Sequence, residues 1–544
     1  MDFIEEAVAT AAKNGQKIIV RFPPEPNGYM HIGHAKAFGI SYNMKCKYDG
    51  TANLRFDDTN PSKENMHYVE NIKNDISWLG IKYDNVFFAS DYYGKLYEFA
   101  VFLIKKGLAY IDDSTAEDIK FMRGDLTNDG VESPYRNRTV AENLTLFEKM
   151  KNGEFADGQK VLRAKIDMTS PNMNMRDPVI YRINREEHYR TGNKWLIYPM
   201  YDFAHSLSDY LEHISHSLCS LEFEDHRPLY DWFIENCAGA FPDLPKIPPH
   251  QYEFSRLNIE RFVMSKRWLK KFVDEGLVDG WNDPRMPTIS GLRRRGYPPE
   301  AIMDFTKSVG VTKINSVVPI SALEYYVRLH LDKTAIRVHA VENPIKIIIT
   351  NYPADKTEKF TVQNNPHNEA SGTHEIDFSN EIYIDGDDFS LNPPPKYKRL
   401  VVGGVVQLRG AYKIKCNKIC DDGHLECEIT DEKAAGVLQF VDAKTGVAAI
   451  IHEPEPLLKT GVDITEENIN RNSLHKKECY IEKWLYDRND NETKYQFVRK
   501  GYYKPDGTTA TTNGATNETM NNRATTPANG KPIFVKTVGL KEGF

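Results

Sequence analysis

The stretch that decides the fold of the N-terminal half is Arg21-Phe-Pro-Pro-Glu-Pro-Asn-Gly-Tyr-Met-His-Ile-Gly-His34. It follows a short β-rich run, Lys17–Phe22, and its prolines stop that strand and hold the loop that comes next. Gly28 and Gly33 carry no side chain, so a ligand can approach the backbone closely there. The stretch therefore predicts a strand that ends in a firm loop open to a ligand.

A helical pattern begins inside the same stretch, at His31, and runs to about Asp49 before a second apolar strand, Ala52–Phe56. Strand, loop, helix and strand in this order predict the start of a nucleotide-binding parallel sheet. The helix start would point N–H groups and its positive dipole end into the loop, which suits phosphates. His31 and His34 could donate hydrogen bonds to a phosphate there. Taken alone, the pair is equally compatible with ordinary polar helix residues or metal ligands.

A second candidate for phosphate chemistry is Val263-Met264-Ser265-Lys266, in a loop-like setting before a helical run that begins near Trp268. A lysine at this place offers a compact, mobile positive charge for a leaving pyrophosphate. Without further context, a surface lysine is the plainer interpretation.

The remaining pattern separates the chain into regions of different character. Polar loops and mixed strands with Gly and Pro fill Asp112–Asn193, which indicates an inserted domain, and helical segments dominate Leu257–Leu331. After Lys333, short alternating runs recur between turn clusters, and this spacing predicts all-β barrels or sandwiches. These runs are Ile345–Thr350, Glu381–Ile384, Val401–Leu408 and Ala448–His452. The sequence thus predicts a multidomain chain that is α/β in its first half and all-β at its end.

Length and composition fit several globular domains in a reducing compartment. The 544 residues suggest about three or four domains, and 40% of them are hydrophobic and 27% charged. No secretory signal or membrane-spanning run is recognisable. The seven cysteines are odd in number and mostly scattered, so reduced thiols and a cytoplasmic location are expected. The net charge of −7 leaves a nucleic-acid partner open, since binding a polyanion depends on local basic surface.

Three cysteines lie close together in sequence and raise the question of zinc. Cys416, Cys420 and Cys427, with His424 between them, belong to a region that alternates, turns at residues 421–423 and alternates again. This pattern predicts a β-hairpin whose cysteines fill strand positions. We therefore expect no structural metal, with a zinc site as the alternative.

Together, the two histidines and the distant Met-Ser-Lys266 resemble the two signature motifs of class I aminoacyl-tRNA synthetases. Within that class the surrounding sequence, from Arg21 to Leu540, is similar to the glutaminyl enzymes and their non-bacterial glutamyl relatives. The similar segments are Phe22-Pro-Pro-Glu-Pro-Asn-Gly-Tyr29, Leu54-Arg-Phe-Asp-Asp-Thr-Asn-Pro61, Leu162-Arg-Ala-Lys-Ile-Asp-Met168 and Met286-Pro-Thr-Ile-Ser-Gly-Leu-Arg-Arg-Arg-Gly296.

The resemblance implies a Rossmann-type parallel-sheet catalytic domain, an inserted acceptor-end-binding domain, a helical subdomain and two C-terminal β-barrels that bind the anticodon. We place the catalytic domain at residues 1–92 and 195–256, the insertion at 93–194, the helical subdomain with the Met-Ser-Lys loop at 257–332, and the barrels at 333–544. The resemblance also implies a monomer that acts on tRNA(Gln), L-glutamine and ATP, with Mg²⁺ accompanying the ATP.

The choice between glutamine and glutamate rests on a few positions. Glutamyl enzymes of this subgroup carry an arginine where this chain has Cys219, and an arginine could pair with a substrate carboxylate whereas a neutral thiol cannot. Val-Met-Ser-Lys266 and Tyr198-Pro-Met-Tyr-Asp-Phe203 also follow the glutaminyl form. We expect a glutamine enzyme. The alternatives are a glutamyl-tRNA synthetase, a small-molecule nucleotidylyltransferase and an inactive tRNA-binding paralogue.

The resemblance also assigns residues to the reaction, in which glutamine attacks the α-phosphate of ATP and the acyl group then passes to the tRNA terminus. His31, His34 and Lys266 match the residues that stabilise charge on the phosphates. The positions that match ATP-binding residues are Glu25, Pro26, Asn27, His31, Gly33, His34, Lys36, Ser220, Arg256, Leu257, Met264, Ser265 and Lys266. Those that match the glutamine site are Arg21 for the carboxylate, Asp57 for the ammonium, Tyr201 for the amide, Gln251 through water, and Cys219.

For tRNA, the matching positions are Leu126 as a wedge at the first base pair, Asp225 at the acceptor stem, and Arg337, Lys398, Arg399, Arg409, Gln496 and Arg499 at the anticodon. Gln407 departs from the family pattern, which has a basic residue there. Arg293-Arg294-Arg295 fits either a tRNA-backbone contact, which we favour, or a packed helix end. The Thr- and Asn-rich segment 506–530 is unlike the family and is predicted to be a mobile loop without a catalytic role.

Overall fold

The structure is a computed structural model that describes residues 2–488, 490–508 and 530–540. The chain forms two compact units, Met1–Asn258 with Thr306–Val317, and Ile259–Phe305 with Val318–Phe544. Residues 509–529, most of the predicted mobile loop 506–530, lie outside the described residues, so that interpretation stays a prediction. No helix within the described ranges is long and apolar enough to cross a membrane.

The first unit contains eight of the described α-helices and nine strands. Its helices are α1 (Phe3–Lys13), α2 (Ile32–Tyr48), α3 (Met66–Trp78), α4 (Tyr93–Lys105), α5 (Ala116–Arg123), α6 (Val140–Lys151), α7 (Tyr201–Leu211) and α8 (Arg227–Cys237). Its strands are β1 (Ile19–Phe22), β2 (Thr51–Phe56), β3 (Val86–Phe88), β4 (Ala109–Asp112), β5 (Val161–Ala164), β6 (Val179–Ile183), β7 (Ile197–Pro199), β8 (His216–Ser220) and β9 (His250–Phe254).

The rest of the chain begins with helices and ends in strands. The helices are α9 (Lys266–Asp274), α10 (Ile289–Arg295), α11 (Pro299–Val309), α12 (Ile320–Thr334) and α13 (Lys483–Arg488). The strands are β10 (Asn258–Ile259), β11 (Val317–Val318), β12 (Ile336–Val338), β13 (Ala340–Glu342), β14 (Pro344–Ile349), β15 (Glu358–Gln363), β16 (Thr373–Phe378), β17 (Glu381–Asp385), β18 (Val405–Leu408), β19 (Lys413–Ile419), β20 (Leu425–Ile429), β21 (Val437–Leu438), β22 (Val441–Asp442), β23 (Val447–Pro454), β24 (Leu474–Ile481), β25 (Tyr495–Phe497), β26 (Gly501–Thr508) and β27 (Pro532–Gly539).

The predicted parallel sheet is confirmed in the first unit. Strands β1, β2 and β3 pair in parallel in that order, and β8 pairs in parallel with β9. Ser215, at the start of β8, donates its N–H to the Ile19 carbonyl at 2.9 Å, which brings β8 beside β1. Helix α2 packs on these strands through Ile40 and Met44, which share a buried cluster with Val20 and Ala52. The carboxyl ends of β1, β2 and β8 therefore point toward one edge of the sheet.

The predicted insertion carries a separate antiparallel sheet, in the order β4-β5-β6-β7. Helices α4 and α6 cover it, with Phe99 and Phe147 packed in the same buried cluster as Leu162. We place the second catalytic segment from residue 195, yet β7 pairs with β6, with Ile197 opposite Ile183. The antiparallel sheet thus extends past residue 194, because Ile197 belongs to its last strand and packs in the same buried cluster as Leu162.

The segment Thr306–Val317 returns to the first unit after the chain has left it at Asn258. The N–H of Ser255 donates to the Thr312 carbonyl at 2.7 Å. Lys313 pairs with Glu224 at 3.0 Å. The first unit is therefore built from two separate stretches of sequence.

The β-rich end of the chain forms two seven-stranded sheets and a separate hairpin, β15–β16. One sheet has the order β12-β25-β26-β27-β23-β24-β13, and the other β21-β18-β19-β20-β14-β17-β22. The four alternating runs predicted as strands overlap with β14, β17, β18 and β23. The run Val401–Leu408 is a strand only from Val405, because the chain turns at Gly403, whose φ of 77° suits glycine. Closure of these sheets into two barrels stays a prediction.

The cysteine-rich segment is a β-hairpin, as predicted. Strands β19 and β20 pair antiparallel, with Cys416 opposite Cys427, and both thiols are buried. Cys420 lies instead at the tip, where its Sγ is 3.4 Å from Oε1 of Glu426. Two of the three cysteines are therefore core residues, and the third is not.

The three consecutive arginines end helix α10. Arg294 makes a two-point ion pair with Asp506, at 2.8 Å for both bonds, and Nε of Arg295 donates to the Thr537 carbonyl at 3.2 Å. For these two residues the structure favours the packed helix end over the tRNA contact that we expected. The physical reason is that Arg295 is buried and Arg294 is held by both carboxylate oxygens of Asp506, so both side chains pack at the helix end.

Candidate active site

The buried carboxylate of Asp209 is the centre of the candidate site in the first unit. It accepts from Nε of Arg21 at 3.0 Å, from Arg55 at 2.7 Å and from the Tyr230 hydroxyl at 3.0 Å. Arg21 and Arg55 are both 0% exposed. Two arginines, one from β1 and one from β2, are thus held by a single aspartate of α7. Burial raises the pKa of Asp209, but the two guanidiniums outweigh this and hold it well below its usual range.

The guanidinium of Arg21 is surrounded by hydrogen-bond partners from the protein itself. Besides Asp209, it donates to the Leu218 carbonyl at 2.9 Å and to the Ser217 hydroxyl at 2.6 Å, and it contacts His205 at 2.9 Å. In this conformation Arg21 ties β1 to β8 and α7. Its predicted contact with a substrate carboxylate stays a prediction.

Asp57 lies at the end of β2 and is held by neighbours on two sides. Its Oδ1 accepts from Nε of Arg55 at 2.7 Å, and its Oδ2 is 3.3 Å from Nδ1 of His205. Burial alone would raise the pKa of Asp57. Arg55 and His205 together lower it by more than burial raises it, so the net shift of the pKa is downward. The carboxylate is therefore ionised at neutral pH, as a partner for a substrate ammonium must be.

Tyr201 lies near Asp57, because both side chains contact His205. The Tyr201 ring stacks on His205 with 4.9 Å between centroids, and Oδ2 of Asp57 is 3.3 Å from Nδ1 of the same histidine. Burial raises the pKa of Tyr201 well above its usual value, and the charge of Asp57 adds to the effect. Burial likewise raises the pKa of the Cys219 thiol, so it stays neutral. The side chain at position 219 therefore carries no charge.

Gln251 on β9 is buried and is held by protein atoms. Its Nε2 donates to the Phe223 carbonyl and to Oε1 of Glu253, both at 3.1 Å. The predicted role through a water molecule would use the side-chain oxygen, and it stays a prediction.

The loop after β1 ends at a histidine-capped helix. His31 is the N-cap of α2, and its Nδ1 accepts from the N–H of Gly33 at 3.1 Å. Nδ1 of His34 accepts from the N–H of His31 at 3.0 Å. Because Nδ1 is the acceptor in both rings, each neutral imidazole carries its proton on Nε2. The helix start predicted at His31 is confirmed, and the two rings lie 3.9 Å apart.

The other residues predicted for ATP in this unit fall into three groups. The backbone N–H of Asn27 donates a hydrogen bond to the Glu25 carbonyl at 2.9 Å, and Pro26 lies between these two residues. Ser220 and Arg256 both contact the carboxylate of Glu222, at 3.0 and 3.3 Å. Lys36 and Leu257 are buried. Nζ of Lys36 donates to the Ser255 carbonyl at 2.9 Å, and burial lowers the pKa of Lys36 to about 8.

Several carboxyl groups around Asp57 were not found from the sequence. Burial raises the pKa of Asp58 to about 7, although Ser90 donates to it twice. Burial, and then the charges of Asp58 and Glu25, raise the pKa of Glu64 to about 9. At neutral pH Glu64 therefore keeps its proton and Asp58 keeps it in part, so these two groups add less negative charge than ionised carboxylates would. A signal was present in the sequence, because Arg55 is a charged residue inside an apolar strand and requires a buried acid.

The Met-Ser-Lys segment belongs to the second unit. Helix α9 begins at Lys266, with Ser265 as the N-cap. Val263 before it is buried with Leu269 and Phe272, while Met264 is only partly buried. The lysine thus lies on the first turn of a helix rather than inside a loop.

Two positions predicted to contact the acceptor arm are accessible in the first unit. Leu126 is 85% exposed, in a turn closed by Asp125 and Asn128. Asp225 is exposed, and its carbonyl accepts from Asn172 at 2.7 Å.

The predicted anticodon residues of the second unit form two groups. Arg399 and Arg499 both pair with the buried carboxylate of Asp388, at 3.2 and 2.8 Å. Arg499 adopts the left-handed conformation with φ of 67°. Burial, and then the nearby charge of Arg337, lower the pKa of Arg409.

Two further positions, Lys398 and Gln496, complete the predicted anticodon set, and Gln407 is the departure from the family pattern. Lys398 is exposed, and Gln496 on β25 is partly buried. Nε2 of Gln407 donates to the Leu408 and Ala411 carbonyls, at 2.9 and 2.7 Å. The side chain of Gln407, which replaces the basic residue of the family pattern, therefore stabilises a turn within this chain.

Comparison with protein families gives the class. The family described as "tRNA synthetases class I (E and Q), catalytic domain" matches residues 17–333. Two families described as "tRNA synthetases class I (E and Q), anti-codon binding domain" match residues 335–430 and 437–506. The chain belongs to the class I tRNA synthetases of the E and Q group.

Individual relatives match over nearly their whole length. A glutamine–tRNA ligase from Clostridium kluyveri is 48% identical, covering 100% of this chain and 98% of that protein. The glutamine–tRNA ligase from Clostridium perfringens is 50% identical, covering 91% of this chain and 92% of that protein. The one from Vibrio cholerae is 46% identical, covering 100% of this chain and 97% of that protein.

The first prediction concerns Glu64, whose pKa is raised to about 9 by burial and by neighbouring acids. The unfolded chain loses this proton near the ordinary glutamate pKa of about 4.3, while the folded protein keeps it, so stability falls as pH rises through that window. We expect Glu64→Gln to raise the free energy of unfolding at pH 8 but not at pH 4, measured by urea titration. Glu70→Gln, at an exposed position on α3, is the control. An equal effect of Glu64→Gln at both pH values would contradict the prediction.

Proposed function

We propose that this chain attaches L-glutamine to the 3′ end of tRNA(Gln), using ATP and releasing AMP and pyrophosphate. The observation that carries the proposal is the full-length identity of 46–50% to proteins named glutamine–tRNA ligase. The catalytic and anticodon-binding matches together cover the chain from residue 17 to residue 506. We propose that the protein acts as a monomer.

In the proposed first step, a carboxylate oxygen of glutamine attacks the α-phosphorus of ATP, and the bond to pyrophosphate breaks. The Nε2–H groups of His31 and His34, at the positive end of α2, are suited to stabilise negative charge on the phosphates. Lys266 would stabilise the leaving pyrophosphate. In the second step, the 2′-hydroxyl of the terminal ribose attacks the acyl carbon, and AMP leaves. No enzyme nucleophile is required, so rate enhancement comes from positioning and electrostatics.

For substrate selection, the ionised Asp57 is proposed to hold the ammonium group of glutamine. The Tyr201 hydroxyl and the neutral wall at Cys219 suit the uncharged amide. With a neutral thiol at position 219, the chain offers no cationic partner there for a glutamate carboxylate. Arg21 and Arg55 do not supply it, because Asp209 already holds both guanidiniums.

Mg²⁺ is proposed to accompany ATP as part of the substrate. Around His31 and His34 the groups nearest the helix start are imidazole nitrogens and backbone N–H groups, which suit phosphates better than a cation. When bound, Mg²⁺ would supply charge neutralisation at the phosphates. The role of this chain is to orient those phosphates at the start of α2.

For the tRNA, Leu126 is proposed to wedge against the first base pair, and Asp225 to contact the acceptor stem. Arg399 and Arg499 are proposed to read anticodon bases from a fixed position, since Asp388 holds both guanidiniums. Arg337, Lys398, Arg409 and Gln496 complete the proposed anticodon surface. A guanidinium held on a carboxylate keeps further N–H donors for a base edge.

The central test is aminoacylation of unfractionated tRNA with labelled glutamine and, in parallel, labelled glutamate. We expect glutamine to be charged and glutamate not. Lys266→Ala should lower the glutamine rate by roughly 100-fold or more, because charge on the leaving pyrophosphate loses its partner. Lys270→Ala, on the same helix and paired with Asp274 at 2.7 Å, should leave the rate unchanged. Charging of glutamate instead of glutamine would overturn the proposal.

A second test addresses Cys219. We expect Cys219→Arg to lower kcat/KM for glutamine by about 100-fold or more, because a charged side chain then occupies the neutral wall. Cys219→Ser keeps the wall neutral and should stay within a few-fold of the parent enzyme. Unchanged glutamine kinetics in the arginine variant, with its folding verified by circular dichroism, would show that Cys219 does not face the substrate.

A third test addresses the anticodon residues. We expect Arg499→Ala to raise KM for tRNA about 10-fold, the cost of losing one good base contact, while KM for ATP is unchanged. Arg471→Ala, at an exposed arginine paired with Glu466 in the same unit, is the control. Equal tRNA affinity of both variants would argue against base recognition by Arg499.

A further inference from the structure

The tip of the β19–β20 hairpin brings together three different metal-binding side chains. These are Cys420, His424 and Glu426, whose ligand atoms all lie within 4.8 Å of one another. Sγ of Cys420 is already 3.4 Å from Oε1 of Glu426. Among the residues that the structure describes, this is the one group of at least three such side chains.

We propose that this tip binds one divalent cation of the zinc type through the Cys420 thiolate, the His424 ring and the Glu426 carboxylate. Zinc binds sulfur at about 2.3 Å, and nitrogen or carboxylate oxygen at about 2.0–2.2 Å, in a tetrahedron. The ligand atoms of such a tetrahedron lie roughly 3.3–3.6 Å apart. The sulfur and the carboxylate oxygen already have this separation, and the remaining distances need only small side-chain adjustments. All three residues are partly exposed and can make them.

The backbone of the tip is fixed without any ion. The N–H of Cys420 donates to the His424 carbonyl at 2.9 Å, and the N–H of Gly423 donates to the Cys420 carbonyl at 2.9 Å. Gly423 has φ of 87°, a conformation that L side chains rarely adopt, so the turn depends on glycine. The ligands therefore start from a preformed turn, which lowers the entropic cost of collecting them.

The surroundings orient two of the three ligands. Asp422 contacts Nδ1 of His424, and a carboxylate on one ring nitrogen is the usual support for a histidine that binds a metal through the other. Oε2 of Glu426 is 3.2 Å from Nζ of Lys418, which leaves Oε1 on the side of Cys420. Asp422 and Lys418 thus restrain the imidazole and the carboxylate, and they leave Nε2 of His424 and Oε1 of Glu426 as the atoms that would bind the ion.

The ligand set selects the class of ion. Magnesium and calcium prefer oxygen ligands alone, whereas a thiolate with an imidazole favours zinc and similar borderline-soft ions. Three protein ligands leave a fourth position for water. The site lies in the second unit, within residues 335–430 of the anticodon-binding match. The ion would clip β19 to β20 at their turn, a structural role distinct from that of the Mg²⁺ that accompanies ATP.

The test uses the full-length, reduced protein without ATP. After dialysis against low-micromolar Zn²⁺, we expect about one equivalent of zinc by elemental analysis. With Co²⁺ we expect a thiolate-to-cobalt charge-transfer band. The variants Cys420→Ser and His424→Gln should each lose the charge-transfer band and the bound equivalent of zinc. The variant Asp422→Asn should still bind zinc, with an affinity about 10–100-fold weaker.

Matched controls separate this site from the other thiols and histidines. Cys46→Ser removes an exposed thiol of the first unit, and His475→Gln an exposed histidine of the second. Both should keep the zinc equivalent and the band. The proposal is overturned if the parent protein holds no more zinc than Cys420→Ser, or if the charge-transfer band survives in Cys420→Ser.

Discussion

The carboxylate of Asp209 is the interaction on which the candidate active site depends. It joins a helix to two neighbouring strands by accepting from Arg21 and Arg55, and Tyr230 adds a third donor. Taking three charges out of water is costly, and the cost is offset only when every partner is present. Loss of Asp209 would leave two guanidiniums buried without their main acceptor, a defect of about 3–5 kcal/mol in comparable pairs. The strand ends that carry Asp57 and Cys219 are thereby fixed relative to each other.

This arrangement also sets the electrostatics of the site. The two arginines pair with Asp209, and Arg55 also pairs with Asp57, so the guanidinium charges are balanced inside the protein. An ionised Asp57 is suited to an ammonium group. At the start of α2, the Nδ1 atoms of two imidazoles accept from backbone N–H groups. Under the proposed function, the ammonium group would be recognised at a strand end and the phosphates at a helix end.

Structural features that depend on residues close together in the sequence were predicted correctly. The strand, the loop and the helix start at His31 follow from proline, glycine and alternating apolar residues within about thirty positions, and the cysteine hairpin follows from its turn. Asp209 and His205 were not found, because nothing near them in sequence distinguishes a buried acid from a surface one. Their partner Arg21 is 188 positions away from Asp209. Arg294 and Arg295 were expected at tRNA for the same reason, since Asp506 and Thr537 are distant in the chain.

The return of Thr306–Val317 to the first unit has a consequence for biosynthesis. The chain leaves this unit at Asn258 and completes it only when Thr312 has paired with Ser255. At about 5–20 residues per second, a ribosome needs roughly 3 to 11 s to go from residue 258 to residue 312. During that interval the nascent unit waits with an unfinished edge while the helices of the second unit emerge. During synthesis, the first unit therefore cannot be completed before the first helices of the second unit have been made. A fragment ending at residue 258 would lack part of the first unit.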